Sequence, residues 1–278
     1  MKYITLNNDV KMPVLGFGVF RVDDGRECVN AVKTALAAGY RSIDTAAAYG
    51  NEKSVGKAIR ESGIPRDEIF ITTKVWNGVQ RGGDVEAAFY ESLSDIGTDY
   101  LDLYLIHWPV EGCFVDTWLV FEKLYKSGRI KSIGISNFNK HHIEDIKNVW
   151  SVVPAINQIE LHPRLTQKPL VKYCQELNIA VESWSPLGGS RPGELRNSII
   201  QDPLIASIGK KYKKTPAQII LRWNIDLGYV TIPKSATQER IRENIDIFDF
   251  ELTADDIATI DSLNTNQRVG PDPDNFNF

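Results

Sequence analysis

Asp44, Lys74 and His107 each stand at the end of a short β-branched or apolar run, and Tyr49 follows Asp44 by five residues in the same loop. A carboxylate beside Lys74 keeps the ammonium charged and oriented. A charged lysine beside Tyr49 stabilises phenolate, and is expected to pull the phenol below its free value near ~10. A phenol tuned in this way donates a proton to an alkoxide at neutral pH. His107 adds a donor able to hold a carbonyl oxygen in place. Taken singly, Tyr49 is an ordinary loop aromatic and His107 an ordinary core histidine. The combination points to carbonyl chemistry.

Further runs end on Ser136-Asn137, Gln158, Trp184-Ser185 and Lys234-Ser235. Ser136-Asn137 and Asp44-Thr45 would also serve as helix N-caps. An apolar strand ending in Lys or His is harder to treat as incidental, because an unpaired charge at such a place is costly. His141, His142 and His162 show no ligand spacing such as His-Glu-x-x-His, and no metal site is expected.

The elements that position these residues alternate almost without interruption. β-branched runs such as Ile69 to Thr72, Leu101 to Ile106 and Ile130 to Ile135 are separated by segments with helical spacing. Helical runs stop at Gly39, Gly97 and Gly128, the expected C-terminal signal. Strand-then-helix alternation means parallel pairing with helical crossovers. Counting a strand near Val14 to Phe17, about eight βα units fit in about 250 residues, the arithmetic of a (β/α)8 TIM barrel. Gly16-Phe17-Gly18 lacks the third glycine of a dinucleotide fingerprint and opens no helix, so a Rossmann sheet is excluded. In a (β/α)8 barrel the strand C-termini form one rim, where the residues above would gather.

Residues 1–13 read as a β-hairpin around Asn7-Asn8-Asp9, plugging the barrel bottom. No linker, repeat or low-complexity stretch divides the chain, so residues 1–278 are expected to form one domain. The tail, residues 268–278, ends in Asn275-Phe276-Asn277-Phe278, and its aromatics suggest docking near the substrate pocket.

Composition narrows the function classes. Hydrophobic residues make up 42% and charged residues 24%, which excludes disorder or a coiled coil as the main theme. Lys and Arg number 32 against 36 Asp and Glu, so no basic field favours nucleic acid or an anionic membrane. The basic run Lys210 to Lys214 reads as a solvated helix end before Thr215-Pro216. No stretch approaches the ~20 apolar residues of a spanning helix. The first residues lack the apolar core of a signal peptide, and the three cysteines are odd in number and far apart. A cytoplasmic location is therefore expected, with monomer as the default state.

Several motifs are specific enough to identify a family. Gly39-Tyr40-Arg41-Ser42-Ile43-Asp44-Thr45-Ala46 precedes Tyr49-Gly50-Asn51-Glu52. Asp102-Leu103-Tyr104-Leu105-Ile106-His107-Trp108-Pro109, Gly134-Ile135-Ser136-Asn137-Phe138 and Asn157-Gln158-Ile159-Glu160 follow. The chain resembles the aldo-keto reductases over nearly its whole length, in particular the small bacterial and protist type that includes 2,5-diketo-gluconate reductases and trypanosomatid prostaglandin F synthases.

That resemblance implies NADPH extended across the barrel rim and a small-molecule carbonyl substrate. Tyr49 would be the proton donor, Asp44 and Lys74 its tuners, and His107 the orienter of the carbonyl. Ser136, Asn137 and Gln158 would hold the nicotinamide carboxamide, with Trp184 stacked on the ring. Gly18 and Val19, with Ser185, Leu187 and Gly189 along the pyrophosphate, would also contact the cofactor. Lys234, Ser235, Arg240 and Asn244 would grip the 2′-phosphate and adenine. Phe20, Trp76 and Trp108 would wall the substrate carbonyl. The loop Val110 to Asp116 and the tail are short, and such segments shape substrate choice in the family. Two alternatives remain beside a carbonyl reductase: a Schiff-base enzyme using Lys74, and an NADPH-binding redox sensor.

Overall fold

The computed structural model describes residues 1–189, 195–276 and 278. Two antiparallel strands open the chain, β1 (Tyr3–Thr5) and β2 (Lys11–Pro13). Eight parallel strands follow: β3 (Phe17–Gly18), β4 (Ser42–Asp44), β5 (Phe70–Val75), β6 (Leu101–Ile106), β7 (Ile130–Ser136), β8 (Ile156–Glu160), β9 (Ala180–Trp184) and β10 (Val230–Thr231). They pair in chain order from β3 to β10. The two edges then meet. Leu15 bridges Thr231 in parallel, and the N–H groups of Gly16 and Gly18 donate to the carbonyls of Thr231 and Pro233. The result is a (β/α)8 barrel.

Helices fill the crossovers. α1 (Arg26–Ala38) leads to β4, α2 (Glu52–Ser62) to β5, and α3 (Asn77–Gly82) with α4 (Val85–Ile96) to β6. α5 (Phe114–Lys126), α6 (Lys140–Lys147) and α7 (Lys168–Glu176) precede β7, β8 and β9. α8 (Arg196–Ile200), α9 (Pro203–Tyr212) and α10 (Pro216–Asp226) precede β10, and α11 (Gln238–Ile245) and α12 (Ala254–Asp261) follow it. The stops read from the sequence are real ones: Gly39 and Gly97 adopt φ of 105° and 73°, and their N–H groups return to the last turns of α1 and α4. All six residues of β5 and of β6 are buried, as expected for parallel strands covered on both faces.

Several strands run further than their β-branched cores. β5 takes in Lys74, β8 continues through Gln158 to Glu160, and β9 through Trp184. Trp184 thus ends its strand as expected, while Lys74 and Gln158 stand one and two residues inside the ends of theirs. Their backbones stay in the ladder because their side chains find partners without interrupting it.

The hairpin closes the barrel bottom. Leu6 and Met12 pack with Phe70, Leu103, Leu105, Ile156 and Val230 in a cluster distinct from the main core. The basic run ends α9 as expected, but it is paired as well as solvated: Lys211 meets Asp256 at 2.7 Å, and Lys214 meets Asp246 and Asp249 at 2.8 Å each. Among the described residues, no helix is long and apolar enough to cross a membrane.

One close approach fixes the outer layer. A Cβ on Gly56 of α2 would stand 1.8 Å from the carbonyl oxygen of Ile96, the last residue of α4. Backbone cannot yield there as a flexible side chain would. Gly56→Ala is expected to cost about 3 kcal/mol, lowering Tm by roughly 6–12 °C at ~2–4 °C per kcal/mol. A thermal melt within ~2 °C of wild type would show that the two helices separate freely.

Candidate active site

Lys74 lies wholly inside the barrel. Its Nζ donates to Asp44 Oδ1 at 2.7 Å and to the Thr45 carbonyl at 2.9 Å, and lies 3.4 Å from the Tyr49 hydroxyl. The strand register explains the reach. Asp44 stands opposite Thr72, so Lys74, two residues further on and on the same face, points across the end of β4. After β4 the chain makes a 3-10 turn, Ala47–Tyr49, and Gly50 at φ 66° ends it. That turn folds Tyr49 back over the strand end. His107 follows β6, with its ring 5.6 Å from that of Tyr49, edge to face.

Electrostatics sets the protonation states. Burial pushes Lys74 down, but the charge and hydrogen bond of Asp44, with Tyr49 and Glu182 adding to them, more than offset it and hold the ammonium above its ordinary value. His107 is pushed well below its ordinary value, first by burial and then by the Lys74 charge, so it is neutral at neutral pH. Its Nδ1 is buried without a hydrogen-bond partner. Tyr49 corrects the expectation from sequence. Lys74 does pull the phenol down, yet burial pushes it up more strongly and Asp44 and Glu182 add to the rise, so the net direction is upward. Desolvation of a phenolate was the missing contribution.

The other strand ends converge on the same cavity, of about 770 Å³. Ser136 Oγ donates to the Gln158 carbonyl at 2.9 Å. Asn137 donates to the His107 carbonyl at 2.9 Å and accepts the Trp184 indole N–H at 2.8 Å. Gln158 Nε2 donates to Asp44 at 2.9 Å and to Glu182 at 2.8 Å. One arm of the cavity runs past Gly18, Ser185, Leu187 and Gly189 to Lys234. The other is aromatic, with Phe20, Trp76 and Trp108 near Tyr49 and His107.

Four expected contact residues do not line this cavity. Val19 is fully buried, its N–H bonded to the Asp44 carbonyl. Ser235 turns back to the N–H and carbonyl of Thr237, ahead of α11. Asn244 is buried in α11, and Arg240 is exposed on it. Arg240 nevertheless lies close enough to Arg196, which does line the cavity, for their charges to repel.

Sequence reasoning passed over several lining groups. Arg21 and Arg196 lie in loop or short-helix sequence with no periodicity to mark them. Val269, Gly270, Pro271 and Phe278 reach the cavity from the tail. Glu160 accepts the Val269 and Gly270 N–H groups at 2.6 and 3.1 Å, seating Gly270 against Trp184, where a Cβ would stand 2.3 Å from the ring. Asp274 accepts from Asn139 at 2.8 Å and lies 3.2 and 3.6 Å from the Nε2 atoms of His141 and His142. His142 Nδ1 accepts the Asn139 N–H, which leaves its proton on Nε2 and no lone pair toward Asp274. The group thus clasps the tail, and a cation there would have to break that capping contact. The Phe278 ring stacks on Trp76 at 5.7 Å, while its backbone oxygen accepts from Asn77 and Arg81.

A barrel rim with a buried Lys–Asp pair beneath a tyrosine defines the class, and comparison with known proteins agrees. The profile of the Aldo/keto reductase family matches residues 14–265. "Uncharacterized oxidoreductase YtbE" of Bacillus subtilis (strain 168) is 55% identical over 278 residues, covering 99% of this chain and 97% of that protein. "Glyoxal reductase" of the same organism is 50% identical over 275 residues, covering 99% and 97%. Among solved structures, a Gox0644 mutant in complex with NADPH superposes with a TM-score of 0.92 at 41% identity, covering 100% of this chain and 99% of the other. The chain belongs to the aldo/keto reductase family. It is an oxidoreductase of carbonyl compounds.

The buried pair gives a stability test independent of turnover. Removing one partner of a buried ion pair costs about 3–5 kcal/mol, because the other charge is left uncompensated. Lys74→Met should lose about that much, and adding Asp44→Asn should recover most of it in a double-mutant cycle. Additive losses in chemical denaturation would mean that the two side chains do not depend on each other.

Proposed function

We propose that the protein reduces aldehydes and ketones with NADPH, and that Tyr49 protonates the carbonyl oxygen. The observation that carries this reading is the Tyr49 hydroxyl at the cavity wall with the Lys74 ammonium 3.4 Å behind it. As negative charge develops on the oxygen, a phenol beside a fixed cation gives up its proton with that cation stabilising the phenolate left behind. Neutral His107, its buried Nδ1 bearing a lone pair, presents an Nε2–H donor to the same oxygen. Lys74, held charged by Asp44, offers no neutral amine for a Schiff base.

The residues present fit NADPH. Ser136, Asn137 and Gln158 supply the amide and hydroxyl groups that a carboxamide needs, next to the Trp184 ring. At the far end Lys234 is depressed first by burial, with the charges of Arg21 and Arg196 adding to the effect and Glu27 and Asp23 opposing it. A pocket end where cations repel one another is suited to a polyanion such as a 2′-phosphate. Between the two ends, Ser185, Gly188 and Gly189 take positive φ of 48°, 76° and 88°, turning the backbone along the cavity. Bound there, the dihydronicotinamide supplies the hydride to the carbonyl carbon. The protein fixes the geometry, and the aromatic wall and docked tail keep water from the reacting atoms.

Tyr49→Phe should lower kcat for NADPH-dependent reduction of a small dicarbonyl such as phenylglyoxal by roughly 10²–10⁴-fold. NADPH affinity, followed by quenching of tryptophan fluorescence, should change less than about twofold, because the lost proton matters only as charge develops on oxygen. A near-wild-type kcat removes Tyr49 from the mechanism.

Cofactor preference rests on the cationic end. Charge-assisted contacts contribute roughly 1.5–3 kcal/mol each, so two of them favour NADPH over NADH by about two orders of magnitude before screening. The variant combining Lys234→Met and Arg196→Leu, the two cations that line this end of the cavity, should bring the two Kd values close together. Equal wild-type Kd values for NADPH and NADH at moderate salt would overturn this assignment.

A further inference from the structure

Glu182 is a strand carboxyl, fully buried in the barrel wall, that the reaction as derived does not use. It lies mid-strand in β9 and is fully buried, with Gln158 of β8 and Val230 of β10 beside it in register. Its Oε2 accepts from Gln158 Nε2 at 2.8 Å, while its Oε1 has no hydrogen-bond partner. An unpaired buried carboxyl oxygen costs stability, and a packed leucine would serve a purely structural role better.

The geometry of Gln158 supplies a reason. An amide NH2 has two hydrogens, and here one goes to Asp44 and the other to Glu182. With both committed, the amide can present only its oxygen to the cavity that Gln158 lines. Asp44 alone would leave one hydrogen unassigned, so that the amide could pivot about its bond to Asp44 and turn that N–H instead of its oxygen toward the cavity. We propose that Glu182 is a positioning residue which, together with Asp44, locks the Gln158 amide with its oxygen toward the cavity, so that it accepts from the NH2 of a bound nicotinamide carboxamide. This rests on the cofactor reading above.

The charge state follows from the same surroundings. The charged groups facing Glu182 are Asp44 of β4 and Lys74 of β5, with Tyr49 beyond them. Two carboxyls thus share one cation. Burial, and then the Asp44 charge, push Glu182 from 4.5 up to about 8, with Gln158 and Lys74 opposing. It is therefore protonated at neutral pH, leaving Asp44 and Lys74 balanced. Its folded value lies above its unfolded one, so its contribution to stability is fully present below about 4.5 and is lost as pH rises through about 8. Ionised, it adds negative charge near Tyr49, raises the phenol further and weakens it as a donor.

The test compares wild type with Glu182→Leu and Glu182→Gln. Leucine removes the acceptor and the titration; glutamine removes only the titration. Glu182→Leu should keep or raise the apoprotein Tm at pH 8 while weakening NADPH binding roughly threefold to tenfold, the worth of about one hydrogen bond. Glu182→Gln should recover most of that affinity. Both variants should lose the fall in Tm between about pH 4.5 and 8 that wild type shows, and Glu182→Gln should lose a fall in kcat around pH 8. A merely structural Glu182 gives the opposite pattern: lower Tm in both variants, with affinity and pH profile unmoved, and that result overturns the proposal. If wild type binds NADPH and Glu182→Leu binds it equally tightly, Gln158 is not held by Glu182, while the Tyr49 chemistry stands. If wild type binds neither NADPH nor NADH, the cofactor reading fails and this inference fails with it.

Discussion

The buried ion pair between Lys74 and Asp44 is the interaction on which the site depends. Neither charge is tolerable alone inside a barrel, and each makes the other possible. Two adjacent parallel strands hold the pair, so its 2.7 Å separation is set by strand register rather than by side-chain search. A rigid cation results, fixed before any ligand arrives. Tyr49 is placed over it by a single 3-10 turn, and His107 is kept neutral partly by the same charge. The pair thus fixes where the groups stand, and together with burial it sets their protonation states.

Around this fixed centre the walls are assembled from distant parts of the chain. The tail is tied at three places: by Glu160 at Val269 and Gly270, by Asn139 and the two adjacent histidines at Asp274, and by the aromatic stack at Phe278. Through them the last residues bear on Trp184, Trp76 and Trp108, which face the space where a carbonyl compound would sit. The strands supply the reacting groups, and the tail and loops shape what reaches them. That division suits a scaffold whose chemistry is constant while its pocket is adjustable.

Most of the barrel was legible because its signals are local. Glycines stop helices, β-branched runs form strands, and a lysine or histidine closing an apolar run stands out against its neighbours. Glu182 did not stand out. In a half-exposed strand a polar residue marks the wet face, but barrel strands are dry on both faces, so alternation carries no information there. Trp184 does end β9, whereas Gln158 stands two residues inside the end of β8, since a polar side chain looks like punctuation until its partners across the barrel are known. The aromatics of the tail pointed to its docking, and Phe278 does reach the cavity, but Gly270 and Arg196 were beyond reach, because contacts spanning so much of the chain leave no periodic trace. The direction of the Tyr49 shift was missed because a neighbouring lysine is visible in sequence, whereas the depth of burial is not.

The most direct test is to follow one atom. NADPH carrying deuterium at the transferring C4 position would be incubated with the protein and phenylglyoxal in ordinary water, and the alcohol examined by mass spectrometry and NMR. The expected product has one deuterium on the carbinol carbon and an exchangeable proton on oxygen, with a primary isotope effect when chemistry limits turnover. A product whose carbinol hydrogen comes from water, or cofactor bound without any label transferred, would contradict direct reduction at this site.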